Sequence, residues 1–153
     1  MPEKKTIERA RQDKREEKSA STQAGEFVRE EMHHIREGKH GARNPKQAIA
    51  IGLSKARRAG VELPPPKKGT TSEATRKKAE RDLERAHSGT KQKTSSARST
   101  ARRKALKREP KSSASHAALS KQAKQAAAAR KRRGTVTPSA KKSSSSRRSS
   151  ARR

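Results

Sequence analysis

Cysteine, tryptophan and tyrosine are absent from this chain, and phenylalanine occurs once. Without thiols there can be neither a disulfide framework nor a thiolate metal site. With a single aromatic side chain, the stacking platforms that grip single-stranded nucleic acid are not expected. No continuous apolar stretch approaches the roughly 18 residues of a membrane helix. The start, Met1-Pro2-Glu3-Lys4-Lys5, lacks the apolar segment of a secretory signal. These absences lead to the expectation of a soluble intracellular protein with no membrane contact. Acid also runs out: from Thr90 to Arg153 there are 21 Lys and Arg residues against one acid, Glu109.

What is present is positive charge. The formal net charge is +28, with 38% charged and 25% hydrophobic residues, many of the latter alanine. Such a composition offers little apolar surface to offset the conformational entropy lost on folding. The expected fold class is therefore mostly disordered with a small all-α element. Charge divides the chain near Pro64-Pro65-Pro66: residues 1–66 carry 15 basic and 10 acidic side chains, residues 67–153 carry 28 and 5.

Large apolar residues gather between positions 24 and 63, which marks this segment as the folded module. Val28, Met32 and Ile35 fall at i, i+4 and i+7, one face of a helix over about 24–37 that Gly38 can end. Asn44-Pro45-Lys46-Gln47 reads as an N-cap, a first-turn proline and the Gln of a capping box, opening a helix over about 45–59. Phe27, Val28, Met32, Ile35, Ile49, Leu53 and Val61 are the expected core of this hairpin. Ala48, Gly52 and Ala56 are spaced for close helix approach, which self-association between copies could use. Residues 1–23, with Ile7 as their one large aliphatic side chain, read as frayed helix or coil. Residues 64–69 read as a proline-rich linker and 70–89 as a charged helix, capped by Thr70 and Glu73 and marginal over about 72–87. Residues 90–153 form a basic disordered tail, with a further marginal helix at about 115–133.

The tail carries the main functional signal. Arg102, Arg103, Lys104, Lys107, Arg108, Arg130, Lys131, Arg132, Arg133, Lys141, Lys142, Arg147, Arg148, Arg152 and Arg153 are the expected nucleic-acid contacts, with Lys55, Arg57 and Arg58 extending them onto the hairpin. No device for reading base edges is visible, so phosphate contact without sequence preference is expected, to duplex DNA before structured RNA. His33, His34 and His40 lie near Glu30, Glu31 and Glu37, but no His-Glu-x-x-His pattern joins them. The expectation is no metal, no cofactor and no catalytic residue. Two alternatives stay open: a homodimerising or partner-binding module at 24–63 with a basic targeting tail, and a structured-RNA or ribosome-associated protein.

Two resemblances add to this. Thr135-Val136-Thr137-Pro138-Ser139-Ala140-Lys141-Lys142, with the Ala-Lys block before it and the Ser-Arg ending, resembles the C-terminal tails of linker histones and bacterial histone-H1-like proteins. The Ser/Thr-Pro-x-Lys repeat of linker histones is not reproduced, since Thr137-Pro138 stands alone. The hairpin is similar to an uncharacterised family of small basic bacterial proteins. It shares Met32-His33-His34, Gly38-Lys39 and the run from Lys46-Gln47-Ala48-Ile49-Ala50 through Leu53-Ser54 to Ala56-Arg57. Together the likenesses imply a bacterial, nucleoid-associated protein, located in the cytoplasm.

Overall fold

The computed structural model describes residues 2–89 and 95–135, the last three of these by backbone alone. Helix α1, Lys4–Arg15, is followed by a tight turn in which Glu17 takes a positive φ of 55°. Lys18 clasps that turn, its Nζ lying 2.9 Å from Asp13 and 2.7 Å from Glu16. Ser19 then caps α2, Ala20–Glu37, accepting the amide of Thr22. The helix ends where Gly38 adopts a left-handed φ of 79° and the Lys39 amide reaches back to the His34 carbonyl. The chain is already folded well before position 24: α1 lies against α2 and buries Thr6 and Ala10. The expectation of frayed helix or coil over 1–23 is corrected accordingly: the helix is there and it is packed.

Helix α3, Pro45–Arg58, begins as its sequence dictates, with Asn44 Oδ1 accepting the Gln47 amide at 2.9 Å. The Gln47 side chain, however, accepts from the amide of Arg43 rather than of Asn44. Helix α3 packs on α2 through Ala48, Gly52 and Ala56. A Cβ on Gly52 would stand 2.7 Å from Val28 Cα, so the small-residue spacing is used within the chain. Gly60 ends the helix with φ 92°, and the Val61 amide bonds the Ala56 carbonyl while its side chain is buried.

Helix α4, Glu73–His87, is capped by Ser72 rather than by Thr70. It packs on α3 with Ala79 and Asp82 buried, Asp82 accepting a hydrogen bond from Ser54. Helix α5, Ser96–Arg108, buries nothing. A 3-10 turn, Lys111–Ala114, then pushes Ala114 into the hairpin beside Met32, Ile35, Ala42 and Ala48, and Arg36 Nε donates to its carbonyl at 3.0 Å. Helix α6, His116–Thr135, leaves from there, with Leu119 against the same cluster.

The expectation of a mostly disordered chain is overturned by these six helices among the described residues. Its error lies in discounting alanine. Among the described residues, seven of the eleven buried hydrophobic ones are alanines, at positions 10, 24, 42, 48, 56, 79 and 114. Small side chains let helices approach until backbone and Cβ atoms supply the contact. Alanine, lysine, arginine and glutamine are also strong helix formers, which gives α5 and α6 local support that a count of large apolar residues misses. The core is two clusters: Phe27 and Val61 with Ala10, Ala24 and Ala56, then Met32 and Ile35 with Ala42, Ala48 and Ala114. Val28, Ile49 and Leu53 pack against these while remaining half-buried.

Candidate functional site

Helix α5 carries Arg98, Arg102, Arg103, Lys104, Lys107 and Arg108 in thirteen residues and holds no acid. At 100° per residue these cations fall on every side of the helix. All six side chains are exposed. The helix is tied to the body at its C-terminal end, where the Gly41 amide donates to the Leu106 carbonyl at 2.8 Å and the Ala42 amide to the Pro110 carbonyl at 3.2 Å. A Cβ on Gly41 would collide with the Glu109 carbonyl, so glycine is what permits the tie. Arg43 lies 3.7 Å from Glu109 beside it. Helix α6 also lacks acid and exposes Lys121, Lys124, Arg130, Lys131 and Arg132.

The basic side chains of the hairpin behave differently. Arg57 is buried, with Nε on the Leu63 carbonyl at 3.1 Å and a terminal nitrogen on the Pro64 carbonyl at 3.2 Å. Burial pushes its guanidinium pKa down, and the nearby Asp82 charge opposes this. Lys55 is held between Glu30 and Glu31, its Nζ 3.5 and 2.6 Å from their oxygens. Arg58 is half-exposed, donating to the Ser54 carbonyl and lying 4.0 Å from Asp82. Arg57 and Lys55, expected to extend a phosphate-binding surface onto the hairpin, are both engaged with internal partners. The side chains of Arg133, Lys141, Lys142, Arg147, Arg148, Arg152 and Arg153 lie outside the described residues, as does the stretch resembling histone tails beyond Thr135.

A second concentration of ionisable groups lies where α1, α2, the turn after Gly38 and α3 meet. Glu30 and Glu31 are 6% and 1% exposed. His40 Nε2 is 2.8 Å from Glu31, and His34 Nδ1 is 3.9 Å from Glu30. Glu3, at the start of α1, receives His34 Nε2 at 2.9 Å, and its own amide donates to Glu30. His34 is the largest influence holding the Glu3 carboxyl below its ordinary pKa, followed by Lys39. His33, by contrast, is exposed. Sequence spacing set Glu31 and His34 on one helical face, one turn apart. The return of His40 and the arrival of Lys55 from α3 have no signal in local sequence.

Residues 18–68 match the model of a family described as Family of unknown function (DUF6496). The match spans α2, α3 and the proline run, which is the part of the chain that resembles an uncharacterised family. No curated protein matches the chain, and no solved structure does. Among the described residues, no helix is long and apolar enough to cross a membrane.

Proposed function

We propose that this protein binds double-stranded DNA without sequence preference, neutralising phosphates with the cations of α5 and α6, as a nucleoid-associated accessory factor without catalytic activity. The observation that carries the reading is α5 itself: a helix with cations on every side, no acid and no buried face, tied to the body by one end. A solvated helix of the ordinary kind mixes charge signs, as α4 does with its Glu73–Arg76–Glu80 pairs. Helix α5 has no such internal compensation, and phosphates supply it by releasing condensed counterions to solvent.

The test compares the full chain with a variant carrying Gln at Arg102, Arg103, Lys104, Lys107 and Arg108, by titrating a random-sequence duplex at several salt concentrations. If all five contact phosphates, the variant's slope of log affinity against log salt falls by about 4.5, at roughly 0.9 per phosphate released. An unchanged slope refutes the assignment to α5. Competition by structured RNA separates the two polyanions: displacement by RNA at lower concentration than by duplex DNA reassigns the site to RNA.

A second reading is favoured by the limits of the family match, which excludes α5 and α6. On that reading the α2–α3 hairpin grips a protein partner or a second copy, and the basic helices raise its concentration near nucleic acid. Recruitment that survives the five substitutions supports it.

A further inference from the structure

We infer that Glu31, His34 and His40 form a binding site for a divalent cation of the zinc class, with Glu30 beside it as a fourth donor. One ligand atom from each of the three residues can be chosen so that all lie within 4.8 Å of one another. His40 Nδ1 lies 3.1 Å from the Gly41 carbonyl, an acceptor, which leaves Nε2 as the nitrogen directed at the carboxylates. Its Nε2 lies 2.8 Å from Glu31 Oε1, and a metal ion there takes the place of the proton that the two would otherwise share. His34 repeats the pattern. Its Nε2 is 2.9 Å from the Glu3 carboxylate, and its Nδ1 lies 3.9 Å from Glu30 Oε1.

Two imidazoles and two buried carboxylates thus converge, and Lys55 supplies one positive charge against the two negative ones. Lys55 Nζ lies 3.5 Å from Glu30 Oε1 and 2.6 Å from Glu31 Oε2, and among the described residues no other hydrogen-bond donor reaches either oxygen. A second positive charge completes the cluster. Two imidazoles and a carboxylate are the donor set that borderline divalent ions prefer. The surroundings are those of a metal site too: the Gly41 carbonyl and the Glu3 carboxylate orient the two rings, and Lys55 holds the other oxygen of Glu31. The 2.8 Å between His40 and Glu31 has to open to roughly 3.3 Å for tetrahedral bonds of about 2 Å, a shift within reach of a side-chain rotation. Bound there, the ion fastens the turn after Gly38 to α2. That turn also supplies the Gly41 and Ala42 amides that tie down the end of α5.

The experiment uses the untagged full chain, stripped with chelator and titrated with Zn(II) by calorimetry and with Co(II) by visible absorption. One equivalent binds saturably, and the thermal midpoint rises by roughly 5 °C or more at excess metal. His34→Ala and His40→Ala each weaken binding by about 100-fold or more, beyond the 10- to 100-fold typical of residues behind a ligand. His33→Ala, altering an exposed neighbour, leaves it within a factor of about 2. Should either alanine variant lose its helical signal, the native chain decides through its imidazole 15N resonances: Zn(II) shifts His34 and His40 and spares His33. Absence of saturable binding, equal sensitivity to all three histidines, or unmoved His34 and His40 resonances overturns the site and leaves the cluster balanced by a proton on imidazole.

Discussion

Alanine at Gly52 puts two rules in opposition. In an exposed helix the change is favourable by about 0.8–1 kcal/mol, because glycine loses more backbone entropy on folding. Here the added Cβ meets Val28 Cα at 2.7 Å, with Val28 N and Cγ2 both at 3.0 Å. Two of those atoms are backbone within α2, so no rotamer change relieves the contact. The helices have to separate by roughly 1 Å, which loosens the contacts of Ala48 and Ala56 on either side, and overpacking of this kind costs about 1–3 kcal/mol. With propensity subtracted from the upper half of that range, Gly52→Ala is expected to destabilise the fold by about 1–2 kcal/mol. Gly25, in α2, is the matched control, since a Cβ there meets nothing within 4 Å. Gly25→Ala is expected to stabilise by about 0.5–1 kcal/mol. Urea unfolding of both variants, followed by far-UV circular dichroism, checks this. If Gly52→Ala stabilises as much as Gly25→Ala, α2 and α3 are not in close contact and the packing argument fails.

Other expectations follow from the same contacts. Gly41→Ala should release the end of α5 and the Lys111–Ala114 turn, seen as lost hydrogen-exchange protection at the Ala42 amide while α2 stays protected. Arg57→Ala leaves the Leu63 and Pro64 carbonyls without donors and should cost about 1–3 kcal/mol, with no change in the salt slope of DNA binding; a reduced slope would return Arg57 to the interface. Lys55→Met strands two buried carboxylates and should destabilise by about 2–4 kcal/mol in chelator, somewhat less than for a fully enclosed pair because Lys55 is partly solvated. The Arg76 hydrogen bond holds Glu73 below its ordinary carboxyl pKa of 4.5. Its support of the first turn of α4 is therefore complete above that pH and lost as pH falls through the lowered value. Glu73→Gln should remove this acid-side fraying from the exchange rates of the α4 amides, and an unchanged profile would show that another group governs it.

Legibility divided by the range of the interaction. Helix ends are set by bonds spanning three to five residues, and Asn44-Pro45, Gly38 and Gly60 therefore announced the limits of α2 and α3 within a few positions. The absence of acid in α5 and α6 is likewise a property of the chain, and with it the expectation of a polyanion partner. Tertiary structure decided whether those cations are available. Arg57 and Lys55 have the same side-chain chemistry as their exposed counterparts in α5, yet the fold surrounds one with carbonyls and the other with carboxylates. It also decided that alanines count as core, because an alanine is buried only when another helix comes close enough to cover it. Ala10 and Ala114 lie far apart in sequence, in segments without a large apolar stripe, and no local period marks either as interior. The gathering of Glu3, Glu31, His34, His40 and Lys55 follows the same rule: each is an ordinary polar residue in its own segment, and only the packing of α1, α2 and α3 turns them into one charge-dense cluster around the buried Glu31.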